Sequence, residues 1–88
     1  MMQAPERYGR PMSGLAFRVK HVASDDVLNI RNAPSSDAAV VGAIPPHGRG
    51  IRMVGTCVAE WCQVRFERVS GWVNKLYLAV DTASADSR

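Results

Sequence analysis

Apolar and polar residues alternate with a period of two along much of this chain, in short runs separated by Gly, Pro, Asn and Asp. In the segments LNIR (28–31) and CQVRF (62–66) every second side chain is apolar, which is the pattern of a half-buried strand. Pro34 ends one run, because proline cannot donate a backbone hydrogen bond to a sheet. The pattern predicts a short helical turn near 74–77 and strands over 17–23, 27–31, 40–44, 51–56, 61–67, 69–74 and 78–80.

Short strands at close, regular spacing predict an all-β fold, and a chain of 88 residues has room for one small antiparallel barrel. We expect a flexible leader over 1–16, the barrel over 17–80 and a flexible tail over 81–88, which is DTASADSR. Gly71 is expected to adopt a backbone φ that other residues resist. The residues predicted to fill the interior are Leu28, Ile30, Val41, Ile44, Val54, Val64, Phe66, Trp72, Val73 and Leu78.

The net charge of +3 is carried by the predicted barrel, where eight Lys and Arg residues face five Asp and Glu. This excess suits an anionic polymer such as nucleic acid, cell wall or lipid headgroups, but it also fits an ordinary solvated surface.

No apolar run approaches membrane-spanning length, and residues 1–16 lack the apolar centre of a signal peptide. The protein therefore stays in the cytosol, or the printed sequence omits its signal.

Five short motifs occur in the order found in bacterial SH3 (SH3b) domains. The segment LNIR followed by NAPS resembles the "LNVR-x-x-PS" motif of that family, VVG (40–42) resembles its "VVG" strand, and IPPHG (44–48) its "L-P-x-G" turn. WCQV (61–64) resembles "W-x-x-V", and GWV (71–73) followed by YL (77–78) resembles "GWV…YL". The resemblance implies an SH3-like barrel of five to six strands with a short 3₁₀ turn before the last strand. It also implies a binding or targeting role, often in bacterial envelope proteins beside cell-wall hydrolase domains.

Cys57 and Cys62 would face each other across a hairpin if residues 58–61 form its loop, which places them near disulfide range. A disulfide would indicate an oxidising compartment, periplasmic or secreted, although a cytoplasmic location stays open. The resemblance adds weight, because SH3b domains from such compartments sometimes carry a cysteine pair here. The alternatives are two reduced, buried thiols, or a zinc site that would also need His21 and His47.

We expect no catalytic residues, no metal and no cofactor. His21 and His47 are both predicted to be exposed, and Asp25-Asp26 is explained by a turn. The chain contains no phosphate-binding loop, metalloprotease helix or nucleophile elbow.

The predicted ligand site consists of Trp61, Tyr77, Asn32 and Asp37. Trp61 alternates with the apolar side of its strand and should point away from the core, and Tyr77 matches the groove tyrosine of SH3-like domains. Asn32 and Asp37 lie in the loop expected to flank that groove. The alternative is that Trp61 covers one barrel end and Tyr77 packs with its hydroxyl satisfied. Because NKL (74–76) stands where eukaryotic SH3 domains carry a proline, proline-rich ligands are not expected.

Three functions remain open from the sequence. The first is a module that binds a cell-envelope component, either a peptidoglycan glycan-peptide or a partner protein. The second is a nucleic-acid-binding barrel, which the modest charge and the few stacking aromatics disfavour. The third is a structural or oligomer-forming domain whose exposed Trp61 mediates self-association.

Overall fold

The computed structural model describes residues 16–81. Within this range one curled antiparallel sheet forms a half-barrel, and a 3₁₀ turn at Lys75–Tyr77 precedes its last strand. There are seven strands here, one for each run that the alternation predicts, rather than the five to six that the family resemblance implies. They are β1 (Ala16–Val19), β2 (Leu28–Arg31), β3 (Val40–Ile44), β4 (Ile51–Val58), β5 (Trp61–Phe66), β6 (Val69–Asn74) and β7 (Leu78–Val80). The predicted leader, apart from Ala16, and the predicted tail, apart from Asp81, lie outside the described residues.

The order of strands across the sheet is β3-β2-β6-β5-β4-β1-β7. The strands β4, β5 and β6 form a meander of two hairpins, each with a turn of two residues. The turn residues Ala59 and Glu67 have φ values of 53° and 57°, a left-handed conformation at the first central position of each turn. Turns with such φ values match the twist of the paired strands, and glycine usually occupies this position because it has no Cβ to oppose a positive φ.

The core lies on the concave side of the sheet and consists of side chains at alternate strand positions. Most of the predicted interior is confirmed, and Phe66 packs against the core from a partly buried position. Phe17 and Ile51, which pair across β1 and β4, and Cys62 complete it. The buried cluster consists of Phe17, Val19, Leu28, Ile30, Ile44, Ile51, Cys62, Val64, Val73 and Leu78.

Three residues predicted to be interior are not, and irregular pairing explains two of them. Val41 is the extra residue of a β-bulge between β2 and β3, and 45% of its surface is exposed. Val54 lies where the β4–β5 register shifts, and it is 50% exposed. Trp72 lies between the buried residues Gly71 and Val73, so strand alternation places its half-buried indole on the outer face.

Gly71 is required for space rather than for an unusual φ. A Cβ at this position would lie 2.6 Å from the carbonyl oxygen of Arg31 and 2.6 Å from Cγ2 of Ile30, where β6 crosses β2. Only glycine therefore allows the two strands to approach this closely.

The first strand is shorter than the predicted strand over 17–23. It ends at Val19, and His21 then adopts a φ of 63°, which turns the chain away from the sheet.

An ion pair fixes the residue that follows the last strand. Asp81 is buried and its carboxylate accepts two hydrogen bonds from Arg49, at 2.7 and 3.0 Å. The pKa of Arg49 is raised by these hydrogen bonds and by the negative charge of Asp81. The ion pair joins the segment before β4 to the end of β7.

Candidate ligand-binding groove

A groove of about 420 Å³, partly open to solvent, lies at one end of the half-barrel. One side of it is formed by the irregular segment between β1 and β2, through His21 to Ala23, Asp26 and Val27, and by Leu28 and Asn29 at the start of β2. The other side is formed by Trp61, Asn74 and Tyr77, and Arg31 also contributes to its lining. The groove therefore combines two aromatic rings with amides and with one charged side chain of each sign.

Trp61 is placed in the groove by strand alternation at the start of β5. Its neighbour Cys62 is buried in the core, so the indole of Trp61 points to the outer side of the sheet. Trp61 pairs with Val58 across one hairpin and with Asn74 across the next. The Cys57–Cys62 disulfide links the two strands at the position next to it, as predicted, although the turn of the hairpin is residues 59–60 rather than the expected 58–61, because Val58 and Trp61 are themselves paired.

Tyr77 is held at the end of the 3₁₀ turn by hydrogen bonds along the backbone. The Asn74 side chain accepts a hydrogen bond of 3.0 Å from the backbone N–H of Leu76 and so caps the turn. The carbonyl of Tyr77 accepts a bond of 2.9 Å from the N–H of Lys20. This last bond ties the two sides of the groove together, because Lys20 precedes the segment that forms the opposite side.

The segment between β1 and β2 is shaped by local hydrogen bonds. The N–H of Asp26 donates to the carbonyl of Ala23 at 3.0 Å, and the Asp26 carboxylate accepts from the N–H of Val27 at 2.7 Å. Val27 is exposed and precedes the first residue of β2. These bonds, together with the left-handed φ of His21, give the irregular side of the groove a defined shape.

Arg31 connects the groove to the loop that follows β2. One terminal nitrogen of its guanidinium donates a bond of 2.9 Å to the carbonyl of Ala38. Asn32 and Asp37 lie in this loop and are exposed, but neither lines the groove. The N–H of Asp37 donates instead to the hydroxyl of Ser35 at 3.1 Å, an ordinary turn contact. Of the four predicted site residues, the structure brings Trp61 and Tyr77 together and leaves Asn32 and Asp37 outside.

Several groove residues were missed by the sequence analysis. Asn29 and Arg31 are the polar, outward positions of the LNIR strand, and Asn74 lies opposite Trp61. Their place in the alternation was a signal that could have found them. His21 and Asp26 carry no such signal, because an irregular segment positions them.

Other kinds of site find little support among residues 16–81. No group of three or more His, Cys, Asp or Glu side chains there is arranged to hold a metal ion. Cys57 and Cys62 are bonded to each other, so neither offers a free thiol as a metal ligand or a nucleophile. No helix in the described part of the chain is long and apolar enough to cross a membrane.

The fold and the groove define a small all-β domain of the kind that binds other molecules. The family model of the bacterial SH3 domain matches residues 26–79, and the chain belongs to this family. Membership supports a general role in binding or targeting. No curated protein and no solved structure matches the chain.

Proposed function

We propose that this domain is a non-catalytic binding module that holds a glycan-peptide of the bacterial cell envelope in the groove between Trp61 and Tyr77. The observation that carries the proposal is that both aromatic side chains line one groove together with Asn29 and Asn74. Aromatic surfaces combined with a few convergent polar groups are typical of small-ligand sites.

Each part of the groove suits a part of such a ligand. The indole and phenol rings offer flat apolar surfaces against which a sugar ring or a peptide side chain packs. The Asn29 and Asn74 side chains carry amides that can pair with the amide groups of a peptide. Asp26 and Arg31 provide one carboxylate and one guanidinium, which match the ammonium and carboxylate groups of a short peptide.

The disulfide supports a location outside the cytoplasm, in the periplasm or beyond it. Disulfides persist in oxidising compartments and are rare in the reducing cytosol. The Cys57–Cys62 bond links the two strands of the hairpin that carries Trp61. An oxidising compartment, which keeps this bond intact, therefore also preserves the position of Trp61 in the groove.

The proposal is tested by an NMR titration of the folded, oxidised protein with a soluble muropeptide that contains one disaccharide and its stem peptide. We expect chemical-shift changes at the Trp61 indole N–H and at the backbone amides of 21–29 and 74–77. The Trp72 indole is the internal reference, because it lies on the same outer face but does not line the groove. Saturating muropeptide that leaves the Trp61 indole and these amides unmoved would refute the proposal.

The same experiment separates the other possible partners. If only the isolated stem peptide causes the shifts, the groove recognises a peptide, and the glycan part of the proposal is wrong. If line widths and sedimentation change with protein concentration while muropeptide has no effect, the exposed aromatic surface is a self-association site. A shift caused by oligonucleotides alone would favour the nucleic-acid alternative.

A further inference from the structure

Three arginines lie together on the outer face of β1, β4 and β5, away from the groove. Arg52 of β4 is directly opposite Arg65 of β5 in the register of the sheet. Phe17 of β1 pairs with Ile51 of β4, and both side chains are buried in the core. Arg18 and Arg52 are the next residues of the two strands, so alternation places both on the outer face. We call the surface formed by Arg18, Arg52 and Arg65 the arginine face.

The geometry of paired strands keeps these charges close. Directly opposite residues have Cβ atoms about 4.5–5.5 Å apart, and diagonal neighbours such as Arg18 and Arg52 are about 7–8 Å apart. Like charges directly opposite each other destabilise a sheet. The pairing of Arg52 with Arg65 is therefore a local cost to folding unless an anion lies between the two guanidinium groups.

The acidic residue nearest to the arginine face in the strand register is Asp81, whose N–H donates to the carbonyl of Ala16, the residue opposite Arg52. The ion pair observed among residues 16–81 joins Asp81 to Arg49, which is not part of the arginine face. The remaining acidic residues occupy turns and loops rather than strands: Asp25, Asp26, Asp37, Glu60 and Glu67. Glu67 is the nearest in sequence, and its backbone carbonyl accepts a hydrogen bond of 3.0 Å from Nε of Arg65.

That hydrogen bond prepares Arg65 for an anion. It holds the guanidinium by its Nε–H and leaves the two terminal amino groups as donors for a ligand. The neighbouring strand adds the exposed hydroxyl of Ser70, which lies opposite Arg65. Paired guanidinium groups with a hydroxyl beside them suit the oxygens of a phosphate group.

We propose that the arginine face binds phosphate groups of an anionic polymer that carries no bases. Arg52 lies between Ala16 and Arg65 in the strand register, with no ring opposite it, whereas single-stranded nucleic-acid sites combine basic grooves with several rings on which successive bases stack. The nearest indole, Trp72, is on β6 opposite Gln63 and diagonal to Arg65. The site is separate from the groove, and the proposal does not depend on what the groove binds.

The experiment measures binding of a short inorganic polyphosphate to the oxidised protein at low salt. The test variant is Arg52→Gln with Arg65→Gln, and the charge-matched control is Lys20→Gln with Lys75→Gln. We expect the test variant to lose about tenfold in affinity and its log K against log[salt] slope to flatten by about one to two units. The control should stay within about twofold of the wild type, because only diffuse charge is lost.

Side-chain NMR of the wild-type protein provides a readout that needs no variant. The Nε–H signals of Arg52 and Arg65 should shift on addition of polyphosphate, and the Trp61 indole should not. Equal losses in the two double variants, or unshifted arginine signals, would overturn the proposal in favour of non-specific attraction.

Two other anionic ligands test the proposed occupant of the arginine face. Tighter binding of oligothymidylate of equal charge, with a shift at Trp72, would show that bases are recognised. Binding to anionic vesicles but not to soluble polyphosphate would show a membrane surface instead.

Discussion

Cys57 and Cys62 are bonded across the β4–β5 hairpin, at the position next to Trp61 in the groove. Cys62 is buried in the core and lies on β5 beside Trp61, so the bond fixes this part of β5 to Cys57 of β4. Stability and groove geometry are thus expected to depend on the same covalent link.

Reduction of this disulfide should lower the free energy of unfolding by about 2 kcal/mol, because the closed loop is short and the entropic stabilisation grows only slowly with loop length. Urea titrations of the oxidised and the reduced protein measure the difference. A Cys57→Ser, Cys62→Ser variant is the control, and its midpoint should not change with reductant. An oxidised protein no more stable than the reduced one would contradict the prediction.

The turn between β5 and β6 holds Glu67 at a φ of 57°, a conformation that costs an L-residue energy and glycine very little. Glu67→Gly should therefore raise the free energy of unfolding by about 0.5–1 kcal/mol. The matched control is Arg68→Gly in the same turn, where φ is not positive, and it should lower stability by a similar amount. Denaturant midpoints of both variants decide the matter, and the same sign of change in the two would show the explanation to be wrong.

The ion pair between Arg49 and Asp81 predicts the behaviour of the domain at alkaline pH. The pKa of Arg49 is raised in the folded state, so its contribution to stability is fully present below the unfolded pKa and is lost only above it. Arginine titrates far above neutral pH, so the wild-type pair should persist across the measurable alkaline range. In Arg49→Lys the ammonium has an ordinary pKa of about 10.4, and the contribution should disappear as pH rises past its folded pKa.

Thermal unfolding of both proteins at intervals between pH 7 and about pH 11 tests this prediction. Other lysines and tyrosines titrate equally in the two proteins, so the difference in Tm between them isolates the pair. The difference should grow with pH. A constant difference over the whole range would mean that the charge at position 49 contributes nothing.

Local pattern predicted the presence of all seven strands, but it did not predict where β1 and β4 end or how the strands pair with one another. The alternation in LNIR and CQVRF placed Leu28, Ile30 and Val64 correctly, because each strand has one face on the core. Val41 and Val54 were misplaced because each lies at an irregularity of pairing that depends on a partner strand.

The candidate site shows the same division. The outward position of Trp61 follows from the alternation of its own strand, and Tyr77 was found through the family motif. Trp72 was assigned to the core for its size, although its neighbours Gly71 and Val73 already occupied the inner face. The contribution of His21 could not be predicted, because a turn and a backbone hydrogen bond from Lys20 to Tyr77 bring that segment to the groove.

The most direct test of the proposed function is the muropeptide affinity of groove variants, measured by calorimetry on the oxidised proteins. Tyr77→Ala is compared with Leu76→Ala, since Leu76 is the preceding residue, is also exposed and does not line the groove. Trp61→Ala is compared in the same way with Trp72→Ala. We predict losses of about tenfold or more for Trp61→Ala and Tyr77→Ala, the effect expected for aromatic residues at the centre of a site. Their controls should stay near the wild-type affinity, and equal affinities for all four variants and the wild type would contradict the account.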